Sequence, residues 1–141
     1  MDHNFNKSMG WQIYKARVLM KNKLHRTIKE FEITTEQWNV LKTIHMKEGY
    51  NQKELAKKCL KDRAALTRIL DILEKKELIE RKTSPTDRRE YLIYMTYKGH
   101  ILYDKILPVV LKYAEENMRQ FSNEEVEQLH YLLKKLISNL E

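Results

Sequence analysis

Two adjacent arginines, Arg88 and Arg89, sit inside SPTDRREYLIYMT, the stretch from Ser84 to Thr96, just after a proline turn and just before a β-prone run. Guanidinium groups on a narrow tip can bond phosphate or enter the minor groove of duplex DNA, where negative potential is concentrated. Asp87 stands beside them and Ser84 opens the turn. A second basic set lies upstream in KDRAALTRILDILEKK. If that segment is helical from Asp62, the face opposite Leu66 and Leu70 carries Lys61, Ala64, Thr67, Arg68, Asp71 and Lys75, with Arg63 on its flank. Small residues permit close approach to base pairs, a Thr or Ala methyl can touch thymine, and an arginine can donate two hydrogen bonds to guanine. Arg63 is placed to reach phosphate instead. Any one of these charges is equally a solvated surface group, but their combination on one helix and one hairpin tip suits a contact with double-stranded DNA.

Other chemistries have less support. His3, His25, His45, His100 and His130 show no paired ligand spacing, and Cys59 has no Cys or His near it in sequence, so no metal site is expected. Cys59 falls on the apolar side of its helix, as packing cysteines do. A Gly-rich phosphate loop, a nucleophile elbow and an HExxH pair are all missing, so the sequence suggests no catalytic residue, no cofactor and no enzyme. Lys and Arg outnumber Asp and Glu by 27 to 20 and the pI is near 9.4, which favours a polyanionic partner, either nucleic acid or an anionic membrane surface. The basic excess lies in the first hundred residues and is absent from the last forty or so. No apolar run approaches the roughly 20 residues of a membrane span, and MDHNFNKS lacks the apolar segment of a signal peptide, so a cytoplasmic protein is expected. A single cysteine, which cannot form an internal disulfide, agrees with a reducing compartment. With 141 residues and 42% hydrophobic content the chain is large enough for one globular domain with a real core.

The elements that must position these residues are punctuated by caps. Ile13, Met20, Leu24, Ile28 and Phe31 recur along one face of a long helix from about Ser8 to Phe31. Thr34 with Gln37 forms a capping box ahead of a helix that buries Trp38, Leu41 and Ile44. Asn51 caps a third helix with Leu55, Ala56 and Cys59 inward, and Asp62 caps a fourth that buries Leu66, Ile69, Leu70 and Leu73. The period then changes: Ile79 to Thr83 and Tyr91 to Met95 read as a two-stranded hairpin around Pro85. Thr96 caps a second long helix to about Met118, which Pro108 should kink. Ser122 with Glu125 opens the last helix, whose stripe is Val126, Leu129, Leu133, Leu136 and Leu140. The terminal stripes are longer than a core of this size needs, which marks an interface between copies. The fold class is therefore mainly α with a small β-hairpin wing.

LAKKCLKDRAALTRILDILEKKELIERKTSPTDRREYLIYMTYKGH resembles the winged helix-turn-helix core of the MarR family of bacterial transcriptional regulators. The features that carry this are LA opening the first of the two helices, TR in the second followed by L-x-x-x-x-L-I-x-R, and the wing pattern formed by Asp87, Arg89, Met95 and Thr96 with Gly99 beyond. The resemblance covers about residues 34 to 107. It implies a homodimer joined by residues 1–33 and 97–141, a DNA-binding region over 34–96, and a palindromic operator from which a small molecule releases the repressor. Arg89 would then enter the minor groove with Asp87 as its orienting partner, and the helix from Asp62 would read the major groove. Arg88, the neighbour of Arg89 on the wing, should matter less, because on a strand it points to the opposite side from Arg89. Trp11 and Tyr14 either line a cavity for a small aromatic or anionic effector or are packing aromatics. A winged-helix module for protein or RNA, without ligand control, is the rival reading. Two positions depart from the family pattern: Leu60 and Glu77 stand where glycine is common in the turn and after the recognition helix.

Overall fold

The computed structural model describes residues 8–141, so the sequence reading of His3 lies outside the described residues. Each helix begins where a short polar side chain can satisfy main-chain N–H groups left without an intrahelical partner. Ser8 Oγ accepts from Trp11 N at 3.2 Å and opens α1, Met9–Ile28. A single 3₁₀ turn, Lys29–Phe31, follows. Thr34 and Gln37 form the expected reciprocal box, with both bonds at 3.1 Å, at the head of α2, Thr35–Met46. Asn51 Oδ1 accepts from Glu54 N at 2.8 Å to open α3, Gln52–Lys58, and Asp62 Oδ1 accepts from Ala65 N at 2.7 Å to open α4, Arg63–Lys75. The last helix, Asn123–Leu140, has the box expected from Ser122 and Glu125, and the bonds from the Ser122 main chain and hydroxyl hold the Glu125 carboxyl below its usual range.

Strands β2, Ile79–Thr83, and β3, Tyr91–Met95, pair antiparallel with Ile79 opposite Met95 and Thr83 opposite Tyr91, the boundaries the β-prone runs imply. The hairpin is not alone, however. Tyr50–Asn51 forms β1 and pairs antiparallel with β3, so the wing belongs to a three-stranded sheet in the order β1-β3-β2. Two residues are too few to show alternation, and Asn51 was already legible as a helix cap, which hid its second role.

The long helix α5, Tyr97–Asn117, continues through Pro108. The described chain divides into two compact units, one through Val110 and one from Leu111. In the first, the buried core runs through Ile28, Trp38, Leu41, Leu55, Leu66, Leu70 and Ile93, all at or below 1% exposure. Trp38 stacks on Tyr103 with ring centres 5.3 Å apart, and Tyr103 stacks on His45 at 3.8 Å. In the second unit α6, Asn123–Leu140, buries none of its residues within the single chain. No helix among the described residues is long and apolar enough to cross a membrane.

Both departures from glycine adopt the left-handed conformation that glycine would favour: Leu60 at φ 53° and Glu77 at φ 62°. The cost, about 1 kcal/mol for each non-glycine residue, is tolerated because the turns are closed by main-chain bonds. Lys61 N donates to Ala56 O at 3.0 Å after α3, and Leu78 N donates to Leu73 O at 2.9 Å after α4. Glu32, at φ 56° between α1 and α2, adds a third such residue that the sequence did not mark.

Candidate nucleic-acid interface

α3 and α4 meet at a short turn, and α4 is seated from both sides. Its buried edge, Leu66, Ile69, Leu70 and Leu73, enters the core. At its far end Lys76 Nζ donates to the main-chain oxygen of Glu32 and, at 3.3 Å, to Gln37 Oε1. Toward the wing, Arg81 on β2 donates from Nη2 to Asp71 Oδ1 at 2.8 Å and lies 3.6 Å from Glu74 Oε2. α4 is thus tied to the hairpin by a charged fork, and Asp71, expected on the reading face, is engaged in holding the two elements together.

The sheet root is braced as well. Asn51 Nδ2 donates to Glu90 Oε1, joining the start of α3 to the last residue before β3. Thr96 Oγ1 donates to Glu77 O at 2.6 Å and accepts from Gly99 N at 3.0 Å, so one hydroxyl locks the turn after α4 to the first turn of α5. Gly99 is there because nothing larger fits: a Cβ built on it would lie 2.1 Å from Leu78 O.

This frame sets the expected contact residues as follows. Arg63, at the start of α4, lines one hollow with Gln52 and Lys53 of α3 and with Asp87, Arg89 and Tyr91 of the wing. Its volume is about 280 Å³. The two arginines predicted from separate segments therefore border the same concavity. Thr67 borders an adjoining groove with Arg81 and Tyr91, and its hydroxyl accepts from Gln52 Nε2 while donating to Arg63 O at 2.8 Å. Ala64 and Arg68 are exposed on α4, and Lys75 is exposed at its last residue. Gln52, Lys53 and Tyr91 were missed by the sequence reading. A basic or aromatic residue at the first turn of α3 or the first position of β3 was the only available signal, and it cannot be distinguished from surface without the third dimension.

Four expected placements change. Lys61 is not on α4 but in the turn before its cap, where its ammonium lies 3.7 Å from Glu36 Oε1. Ser84 is 6% exposed and holds the turn, its Oγ bonded to Thr86 N at 3.3 Å and Thr86 Oγ1 at 3.1 Å. Asp87 Oδ1 accepts from the main-chain N of Arg89 at 2.9 Å, fixing the backbone of the tip through an Asx turn. Arg88 and Arg89 are both turn residues, ahead of β3 at Tyr91, so strand alternation does not separate their directions. Both side chains are exposed.

Trp11 and Tyr14 lie one helical turn apart on α1 with ring centres 5.7 Å apart. Tyr14 is exposed and Trp11 half-buried. Burial pushes the Cys59 thiol up, against a hydrogen bond with Thr43 and the charges of Lys61 and Lys42, so it is protonated at neutral pH. Among the described residues no three His, Cys, Asp or Glu side chains cluster as metal ligands do.

The sequence profile of the MarR family matches residues 33–91. A serine-for-cysteine variant of MarR from E. coli, complexed with operator DNA, is 30% identical, with 96% of this chain and 99% of that chain covered and a TM-score of 0.88. MepR of S. aureus in a DNA complex is 27% identical, with 98% and 99% covered and a TM-score of 0.86. The match spans the terminal helices as well as the wing, which the sequence motifs alone did not reach. By profile, by identity over nearly the full length and by fold, the chain belongs to the MarR family of transcriptional regulators.

Proposed function

We propose that this protein is a sequence-specific binder of double-stranded DNA that regulates transcription as a homodimer, most simply as a repressor on a palindromic operator. One observation carries the reading: Arg63 at the start of α4 and Arg89 from the wing border a single hollow, so one surface offers a guanidinium group to the phosphate backbone beside α4 and another to the adjacent minor groove together. Arg68 and Ala64 extend that surface along α4, while Gln52 orients the Thr67 hydroxyl. The MarR and MepR structures in complex with DNA support the same use of this fold. Dimerisation is supported by the apolar side chains that a single chain leaves exposed on α6 and on the first turns of α1, including Met9 at 64%, Ile137 at 51% and Leu140 at 77%. Two copies related by a two-fold axis would present two recognition helices to half-sites about one helical turn apart. A small amphipathic anion that binds the DNA-free state more tightly would release the operator.

The test is a salt series with random and selected duplexes. Phosphate neutralisation predicts that log affinity falls linearly with log salt, with a slope of about −0.9 per contacted phosphate. Selection from a randomised pool should recover an inverted repeat. No binding to any duplex at low salt would leave the rival, a winged-helix module for protein or RNA, as the better account.

A further inference from the structure

The loop at residues 84–90 projects beyond Thr83 and Tyr91, the last paired residues of the hairpin, and closes largely on itself. Ser84 N donates to Glu90 O at 2.9 Å, Glu90 N donates to Asp87 O at 3.1 Å, and Arg89 N donates to Asp87 Oδ1 at 2.9 Å. Among the described residues, a single side-chain hydrogen bond joins this loop to another element, the one from Asn51 Nδ2 to Glu90 Oε1. Asn51 is itself fully committed. Its Oδ1 accepts from Glu54 N at 2.8 Å, the amide nitrogen also donates to Glu54 Oε1 at 2.9 Å, and its main chain stands opposite Leu92 where β1 meets β3. A planar amide with both hydrogens assigned has no freedom left to swing, so the geometry at the head of α3 is passed on to Glu90. Glu90 also has rival partners: it lines the same hollow as Lys53, Arg63 and Arg89, yet among the described residues no ion pair joins it to any of them.

We infer that Asn51 is a positioning residue for the wing. By holding Glu90 it fixes where the loop carries Arg89 relative to Arg63, and it keeps the Glu90 carboxylate from pairing with the guanidinium groups that DNA must reach. Without that bond the loop would sample many arrangements, and a duplex would have to order it on binding, which weakens the complex. A freed Glu90 would in addition compete with phosphate for Arg63 and Arg89. Asn51 acts only through Glu90 and touches no base or phosphate in this role. The consequence for DNA rests on the regulator reading above; the hold on the loop does not.

The experiment uses the full chain in three variants. Asn51→Ser keeps an oxygen to cap α3 but removes both amide donors, Glu90→Ala removes the acceptor without touching the cap, and Glu90→Gln keeps an acceptor without the charge. Without DNA, backbone order parameters at residues 86–89 should fall from about 0.85 to below about 0.6 in Asn51→Ser and Glu90→Ala, and stay high in Glu90→Gln. Circular dichroism should not change. With the selected duplex at fixed salt, Asn51→Ser should bind about tenfold more weakly and Glu90→Gln within about twofold of the parent. Arg89→Ala should cost about tenfold in the parent but no more than about twofold in Asn51→Ser, because an arginine no longer aimed has little left to lose. A loop that stays rigid in both bond-breaking variants would overturn the inference, and so would independent, multiplying losses from Asn51→Ser and Arg89→Ala. Either result with a parent that binds DNA removes this inference alone. A parent that ignores every duplex removes the regulator reading and the aiming role with it, while the order parameters still show whether Asn51 holds the loop.

Discussion

α4 and α6 are written in the same alphabet, leucines and isoleucines at helical spacing with charges between, yet they end in opposite states. Leu66, Leu70 and Leu73 on α4 are 0% exposed, whereas Leu133, Ile137 and Leu140 on α6 are 39%, 51% and 77% exposed. Amphipathic spacing says that a face must be covered. It does not say by which atoms. The unit through Val110 covers its own faces and adds polar locks at Thr96, Asn51 and Arg81. The stripe on α6 stays open in one chain and is the feature that a second copy would close.

The contrast breaks most sharply at the closed region. Gly99→Ala drives a Cβ into the Leu78 carbonyl, and urea unfolding should show a loss of about 3 kcal/mol or more. Gly10→Ala, on the exposed start of α1 with nothing within 4 Å of the added carbon, should instead gain roughly 0.5 to 1 kcal/mol. If both glycines respond alike, the joint at Leu78 is not rigid. On the open side, Ile137→Asp should raise the dimer dissociation constant by roughly 100-fold, since a carboxylate buried without a partner costs several kcal/mol. Sedimentation equilibrium checks this, and an unchanged dimer would place the interface elsewhere.

Smaller effects sharpen the comparison on the DNA side. Arg89→Ala should weaken operator binding by about 1 to 3 kcal/mol without altering fold or dimer. Arg68→Ala should relax preference at one base pair if it meets a base, or reduce the salt slope by about one if it meets phosphate. Arg88→Ala belongs in the same series, because a turn residue beside Arg89 is not directed away from it as a strand neighbour would be. Fluorescence titration at fixed salt orders the three, and an Arg89 variant that binds as tightly as the parent would make the wing a charged turn only. The smallest effect concerns turns: Leu60→Gly and Glu77→Gly should each stabilise by up to about 1 kcal/mol, since glycine adopts their φ of 53° and 62° without strain. A loss of stability in the same unfolding assay would mean that those side chains contribute contacts outweighing their backbone cost.

Local signals were legible and spatial ones were not. Thr34, Asn51, Asp62 and Ser122 announced helix starts because a cap bond spans only three residues. The hairpin was legible because a proline turn separates two β-prone runs. β1 was not, since its only signal is main-chain pairing to a strand more than forty residues away. Contacts between separate elements, beyond the reach of one helical turn, likewise hid the Arg81 fork on Asp71, the Glu36 partner of Lys61 and the meeting of Gln52, Lys53 and Tyr91 beside Arg63. A helical wheel shows which residues share a face, and neighbours across space decide which of them are already occupied.

The three-stranded sheet has its own bearing on how this molecule behaves when concentrated. Its order leaves β1 and β2 as edges, and an edge strand is a template for unwanted pairing between molecules. β1 ends after two residues by turning into α3, too short to recruit a stranger. β2 carries Glu80, Arg81 and Lys82 in succession, and charge in mid-strand discourages a flat, sticky ladder. A chain that exposes so much leucine on its helices thereby guards its β-structure against aggregation, so that self-association would be left to the helical surface where a symmetric partner could fit.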